Sequence, residues 1–144
     1  MVSSSFFIEV LNKTDFFVDE KRITDILGKV FTSENRKKFL SRNISVVLLG
    51  GEEMRELNKK YRKKDYIADV LSFLYNERDI LGEIIICPQQ IIELSGEKKE
   101  ENQKKEIYRT IIHGALHLLG YIHNNDKEEK IMKKKTEQYL EELK

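Results

Sequence analysis

All three histidines of the chain lie in one stretch near its C-terminus, which reads HGALHLLGYIH. His113 and His117 are four residues apart, so a helix would place them on one face, about 6 Å apart along its axis. Gly120 can end that helix in a left-handed conformation, and His123 follows closely enough to return as a third ligand. Three neutral imidazoles with an open fourth position are typical of catalytic zinc sites, whereas structural sites have four protein ligands. The stretch therefore predicts that His113, His117 and His123 bind one divalent metal.

The chemistry of such a metal depends on the residues around it. Zinc is the first expectation, although imidazole ligands also suit nickel, copper and iron. The spacing H-x-x-x-H-x-x-G-x-x-H occurs in zincin-type metalloproteases, which carry a glutamate general base directly after the first histidine. Gly114 occupies that position here. The ligands thus indicate a metal-dependent hydrolase, and the missing glutamate argues against an ordinary peptidase.

The elements that must position these ligands follow from the pattern of apolar residues. Short β-branched and apolar runs predict strands at 6–11, 44–50, 70–75 and 82–87. Helical periodicity predicts helices at 19–31, 52–61, 88–96, 97–119 and 126–142, and we interpret 32–43 as a helix end plus loop. Because strands and helices do not alternate strictly, we expect an α+β fold. It would have a small mixed sheet of about four strands and about five helices, with a zincin-like central helix that carries the metal ligands.

Individual residues carry further expectations. Gly114 inside an apolar helix indicates either a close approach by backbone or substrate, or close helix packing. Asp126 and Glu129 have the spacing of a capping box for the last helix. Tyr61 is expected to face the core, with base stacking as the alternative if it is exposed. Cys87 follows a strand and is expected to be a small buried apolar residue.

Composition limits the class of protein. The 144 residues suit a single domain, 1–144, and the net charge of +1 neither favours nor excludes nucleic acid. No apolar run reaches the length of about 18 residues that a membrane span needs. The N-terminus lacks the basic region of a signal peptide, and a single cysteine excludes an internal disulfide. We therefore expect a cytoplasmic protein without a membrane partner.

A basic run precedes the third predicted strand. Five of the six residues from Lys59 to Lys64 are lysine or arginine. Such a run predicts an RNA-facing patch, although a solvated surface has the same composition. Asp65 and Asp69 follow it, and either could accept a proton in place of the missing glutamate. The alternatives are a loop position for Asp65 and a turn or capping role for Asp69.

Four segments together resemble the YbeY family of ribosomal RNA maturation factors. The segments are Leu57-Asn58 with Tyr61-Arg62, then Asp69-Val70-Leu71-Ser72-Phe73, Leu81-Gly82-Glu83-Ile84, and His113 to His123. The chain departs from the family pattern at four places: Ile67-Ala68 replaces Pro-Thr, Leu74 replaces a proline, Glu83 replaces an aspartate, and Ile122 replaces the aspartate before the last histidine. That last aspartate could orient a histidine, so its loss concerns the tuning of the site rather than the ligands.

The resemblance implies a function and a set of site residues. The family is described as metal-dependent, single-strand-specific endoribonucleases, which implies single-stranded RNA, and ribosomal RNA of the small subunit in particular, as substrate. It also implies that His113, His117 and His123 bind the metal and that Arg62 acts near the active site. A guanidinium can hold a phosphodiester with two hydrogen bonds and stabilise charge developing at phosphorus.

Two other functions fit the same residues. One is a zincin-like metalloprotease or other metallohydrolase, against which Gly114 counts. The other is a ribosome-associated binding factor with a structural metal. A structural metal needs a fourth protein ligand, and Cys87 is the only thiol in the chain.

Overall fold

A mixed sheet and five helices form the part of the chain that the computed structural model describes, residues 6–34 and 39–143. The strands are β1 (Phe7–Asn12), β2 (Asn43–Leu48), β3 (Val70–Leu74) and β4 (Gly82–Ile86). The helices are α1 (Glu20–Ser33), α2 (Gly51–Arg62), α3 (Pro88–Ser95), α4 (Glu100–Leu118) and α5 (Asp126–Glu141). The α+β prediction is confirmed. Of the predicted loop at 32–43, residues 35–38 lie outside the described residues.

The sheet has the order β1-β2-β4-β3. Strands β1, β2 and β4 are parallel, and β3 runs antiparallel to β4 at one edge. Side chains of a strand alternate between the two faces of a sheet, so β4 supplies two cores. Ile84 and Ile86 pack in the larger core, and Ile85 and Cys87 in the smaller one. The edge position of β3 leaves one side of this strand open beside the helices.

Helix α4 lies at the centre of the larger core. It packs against α1, α3, α5 and the strands β3 and β4. Ile111, Ile112 and Leu116 are fully buried, which the apolar composition of this half of the helix predicts. Despite that composition, none of the helices within residues 6–34 and 39–143 has the length and apolarity that crossing a membrane requires.

The smaller core lies between the opposite face of the sheet and α2. Met54 of α2 is fully buried there, together with Cys87, which has no contact with solvent. The prediction for Cys87 is confirmed. The prediction for Tyr61 is wrong, because its side chain is 57% exposed. Met54 and Leu57 are the α2 side chains that pack in the smaller core, whereas Tyr61 lies in the last turn of α2 and meets the Phe73 ring on β3 edge to face.

The start of α4 and the N-cap of α5 differ from the predicted ones. Gly96 adopts a left-handed φ of 71°, and the Ser95 hydroxyl accepts a hydrogen bond from the backbone of Glu97, so α4 begins at Glu100 rather than at residue 97. The capping box of α5 lies one residue earlier than Asp126 and Glu129. The Asn125 side chain accepts from the backbone of Glu128 at 2.9 Å and donates to the Glu128 carboxylate at 2.7 Å. Asparagine caps as well as aspartate, so composition alone did not fix the register.

Close packing explains Gly114. A Cβ at this position would lie 2.9 Å from Cγ2 of Ile84 and 3.1 Å from the side chains of Ser72 and Val70. The Ser72 hydroxyl donates to the Gly114 carbonyl at 2.9 Å, which ties α4 to β3. Of the two interpretations of Gly114, helix packing is therefore the one that the structure supports. The absence of a side chain lets the histidine-bearing turns of α4 lie directly on the edge strand.

Candidate metal centre

Helix α4 brings the first two histidines together on one face. His113 and His117 are one turn apart, and their ring centroids are separated by 4.7 Å. Both rings are partly buried. The opposite face of this helix forms part of the larger core, which fixes the orientation of the helix and therefore of the two rings. The position of the two imidazoles thus follows from the amphipathic pattern of α4 and from the i, i+4 spacing.

A tight turn after α4 returns the third histidine to the first two. Gly120 has a φ of 100°, and its backbone N–H donates to the His117 carbonyl at 3.0 Å. The backbone N–H of Tyr121 donates to the carbonyl of Leu116 at 3.0 Å. His123 consequently lies with its ring centroid 4.9 Å from that of His117 and 5.5 Å from that of His113. The left-handed turn that the sequence predicted at Gly120 is confirmed.

The three imidazoles fit one metal ion. One ring nitrogen from each histidine can be chosen so that all lie within 4.8 Å of one another, and the Nε2 atoms of His117 and His123 are 3.1 Å apart. Nitrogens bound to a tetrahedral zinc at about 2.0–2.1 Å lie about 3.3 Å from each other. This is the only such group of potential metal ligands within residues 6–34 and 39–143, and it does not include Cys87.

Burial favours the neutral form of the two imidazoles on α4, His113 and His117. Burial, reinforced by the neighbouring His117 and His123, lowers the pKa of His113 to about 4. Burial also lowers the pKa of His117, with His123 adding to the effect. Neutral imidazole is the form that binds metal, so protons compete only weakly with a cation here at neutral pH.

An open cleft lies beside the imidazoles, along the free edge of β3. It is lined by Arg62, Asp69 to Leu74, Arg109, Thr110, His113, His117, Leu118 and His123. The structure thus brings together Arg62, Asp69 and all three histidines, which the sequence singled out from separate segments. Asp65 does not line this cleft and instead accepts two hydrogen bonds from Arg55, at 2.8 and 3.4 Å.

Arg109, one turn before His113, also lines the cleft and was not among the residues predicted from the sequence. Its guanidinium donates two hydrogen bonds to Glu137 of α5, at 2.7 and 2.9 Å, and pairs closely with Glu106. These carboxylates raise the pKa of Arg109 further above its ordinary range. A position for Arg109 near the histidines could have been predicted, because its spacing from Glu106 and His113 puts the three residues on one helical face. Its ion pair with Glu137 could not be predicted from spacing.

A buried carboxylate supports the turn that carries the third histidine. Glu34, at the end of α1, is only 7% exposed and accepts hydrogen bonds from the hydroxyls of Tyr121 and Tyr139 and from the ammonium of Lys135. Burial alone would raise the pKa of Glu34, but these donors outweigh it and leave the pKa lowered. Glu34 thereby joins α1 and α5 to Tyr121, two residues before His123.

Replacing Glu34 with glutamine should destabilise the protein by about 2 kcal/mol near neutral pH, because hydrogen bonds to a charged group are lost. A lowered carboxyl pKa stabilises the fold above the unfolded pKa of about 4.3, and this contribution disappears as the pH falls through the folded pKa. Denaturant unfolding of the parent and the E34Q protein should therefore converge in acid. A difference that is the same at pH 7 and pH 3 would contradict this role.

A family model and the curated relatives of this chain indicate the same protein family. A family model described as "Endoribonuclease YbeY" matches residues 9–144. The Endoribonuclease YbeY of Thermotoga petrophila is 39% identical over 102 residues, which cover 70% of this chain and 67% of the relative. The Endoribonuclease YbeY of Thermodesulfovibrio yellowstonii is 36% identical, and that alignment covers 95% of this chain and 97% of the relative.

A solved structure extends the likeness to the fold. The solution structure of TM1509 from Thermotoga maritima superposes with a TM-score of 0.64 at 32% sequence identity, covering 95% of this chain and 89% of that one. The family match spans the cleft, the three histidines and the sheet edge described above. The chain belongs to the YbeY endoribonuclease family.

Proposed function

We propose that this protein is a metal-dependent endoribonuclease that cleaves single-stranded RNA during maturation of ribosomal RNA, in particular that of the small subunit. It would act in the cytoplasm, and its residues 1–144 would form one catalytic domain. His113, His117 and His123 hold one divalent metal, for which zinc is the expected ion. The observation that carries this proposal is the position of Arg62, an arginine without an ion-pair partner among residues 6–34 and 39–143, in the same cleft as the three imidazoles.

The histidines supply three nitrogen ligands, which leaves room for a further ligand. When bound there, a divalent cation lowers the pKa of a coordinated water and polarises a phosphoryl oxygen. His113 and His117 are held by α4, and His123 by the turn at Gly120, so their mutual positions are fixed before substrate arrives. The cleft is open along β3, which gives a polymer access to them.

Arg62 is the arginine of the cleft that is free to bind substrate. Within the described part of the chain, no carboxylate lies at ion-pair distance from its guanidinium, whereas Arg109 is occupied by Glu106 and Glu137 and Arg55 by Asp65. Arg62 also lies in the basic run at the end of α2. Its guanidinium would bind two oxygens of one phosphodiester and stabilise the negative charge that develops there.

Asp69 is the proposed proton acceptor. Its Oδ1 accepts the backbone N–H of Val70 at 2.8 Å, which orients the carboxylate at the start of β3. Oδ2 is then the atom that would take the proton from the attacking nucleophile, which is either water or the ribose 2′-hydroxyl. Of the two aspartates considered from the sequence, only Asp69 lines the cleft, since Asp65 is paired with Arg55.

The alternative functions account for fewer features. A zincin-like protease needs a general base at position 114, and Gly114 is packed against β3 and β4 without room for a side chain. A structural metal needs a fourth protein ligand. Cys87 is buried in the smaller core on the other face of the sheet. These features favour a metal with three protein ligands and one open coordination position over a metal with four protein ligands.

The test is cleavage of labelled oligonucleotides by the purified protein. We expect single-stranded RNA to be cut, duplex RNA to be cut poorly, and DNA slowly or not at all. A flexible strand can bring one phosphate into the cleft, whereas a duplex is stiff and presents mainly its shape and minor groove. If duplex and single strand are cut at equal rates, the specificity proposed here is wrong. If metal-loaded protein cuts no RNA, the binding-factor function is favoured.

A further inference from the structure

Three aromatic side chains form a continuous row at the edge of the sheet. The rings of Tyr61 and Phe73 meet edge to face with centroids 5.6 Å apart. The rings of Phe73 and Tyr75 are stacked with centroids 6.4 Å apart. We refer to Tyr61, Phe73 and Tyr75 as the aromatic row. It joins the end of α2 to β3 and the residue that follows it.

Packing in the protein core does not explain why these three aromatic side chains lie together. Tyr61 is 57% exposed and Tyr75 is 42% exposed, while Phe73 between them is half-buried against the smaller core. The adjacent Leu74 is exposed as well. Neighbouring apolar side chains that remain open to solvent indicate a binding surface, whereas single exposed ones are common on any protein.

The aromatic row begins at the wall of the metal cleft. Phe73 lines this cleft together with Arg62 and the three histidines, and Tyr61 directly precedes Arg62 in α2. A strand whose phosphate is held by Arg62 would therefore have its neighbouring nucleotides beside the row. The surface is continuous with the proposed catalytic site rather than a separate patch.

The charges around the row suit a nucleic acid. The ammonium of Lys60 lies 5.3 Å from the centroid of the Tyr61 ring. Lys59, Lys63 and Lys64 are exposed on the same end of α2. Acids lie nearby as well: Glu52, Glu53, Glu56 and Glu83 line a groove beside Lys60. The Tyr75 hydroxyl donates to Glu83 at 3.3 Å, which fixes the ring. Burial and the Glu83 charge raise the pKa of Tyr75, so its hydroxyl stays neutral.

We infer that the aromatic row binds bases of the RNA strand by stacking, next to the phosphate that Arg62 holds in the cleft. This inference rests on the proposed function and names the part of the substrate that the surface binds. Aromatic rings stack on any base, whereas lysines alone would read only the phosphates. Paired bases of a duplex already stack on each other, so the row would favour unpaired RNA.

The chain contains no tryptophan, so one can be introduced as a reporter. Tyr61→Trp places it in the row, and Phe17→Trp is a matched control, because Phe17 is 71% exposed and has the Lys104 ammonium 5.5 Å from its ring centroid. Stopped-flow mixing with a single-stranded oligoadenylate, read before cleavage, should quench the tryptophan at position 61. An abasic strand of equal length should not, and neither strand should quench the control.

Steady-state kinetics provide a second readout. Because one stacked base is lost, Tyr61→Leu should raise KM about tenfold with little change in kcat. Tyr61→Phe keeps an aromatic ring and should have the parental KM. An unchanged KM for Tyr61→Leu overturns the inference. So does absent quenching at position 61 by a strand that the protein cuts, or equal quenching by the abasic strand. If the parent cuts no RNA, the proposed function fails separately, and the quenching still decides whether the row binds bases.

Discussion

Replacing His117 with alanine should remove the bound metal and, with it, all RNA cleavage above background. His117 lies between the other two ligands, with centroid distances of 4.7 and 4.9 Å to His113 and His123. The remaining two imidazoles lack the third fixed ligand that a catalytic site of this type uses. Elemental analysis of the purified variant should find far less than one metal per chain, where the parent contains one.

The control for His117→Ala is Lys105→Ala, an exposed position on the same helix outside the cleft. That protein should keep both its metal and its activity. Circular dichroism should show that both variants keep the helix content of the parent, because the larger core is unchanged. An unchanged metal-to-protein ratio in the His117→Ala protein would contradict the three-histidine site.

Replacing Arg62 with alanine should reduce cleavage by about 10²- to 10³-fold while leaving the fold and the metal in place. This is the range observed when a group that stabilises developing charge is removed from an active site. Arg62 is exposed and has no ion-pair partner in the described part of the chain, so its removal disturbs no packing. Single-turnover cleavage of a labelled single-stranded RNA measures the loss.

Lys64→Ala separates this role from general attraction to RNA. Lys64 belongs to the same basic run but does not line the cleft. Its replacement should weaken RNA binding modestly and reduce the dependence of binding on salt, because one phosphate contact fewer releases fewer counterions. If Arg62→Ala cleaves at the parental rate, or if Lys64→Ala loses as much activity, Arg62 has no special role.

The cluster of three histidines was predictable because it depends on residues that are close in the sequence. The i, i+4 spacing of His113 and His117 defines a helical face, and Gly120 defines the turn that returns His123. The strands were predictable for the same reason, since runs of β-branched residues indicate buried strands directly. The family resemblance implied that Arg62 acts near the histidines, and Asp69 was one of two candidate proton acceptors. The fold brings both residues to the cleft that the histidines line.

Features that depend on contacts between distant segments were not predictable. The pairing of Arg109 with Glu137 and the burial of Glu34 beside Tyr121 join residues far apart in the sequence. The exposure of Tyr61 depends on which side chains of the sheet pack against the last turn of α2, which the periodicity of that helix does not contain. The capping box was misplaced by one residue, because Asn125 and Asp126 are both suitable caps.

The three histidines are proposed to bind the metal on which RNA cleavage depends. Whether a chelator abolishes that cleavage is the direct test. One labelled single-stranded RNA is incubated with the parent protein, with the chelator-treated protein, and with the same protein after addition of zinc. We expect that cleavage is lost with chelation, returns with zinc, and does not return for His117→Ala. Cleavage that survives complete removal of the metal, or that is equal in the His117→Ala protein, would contradict this expectation.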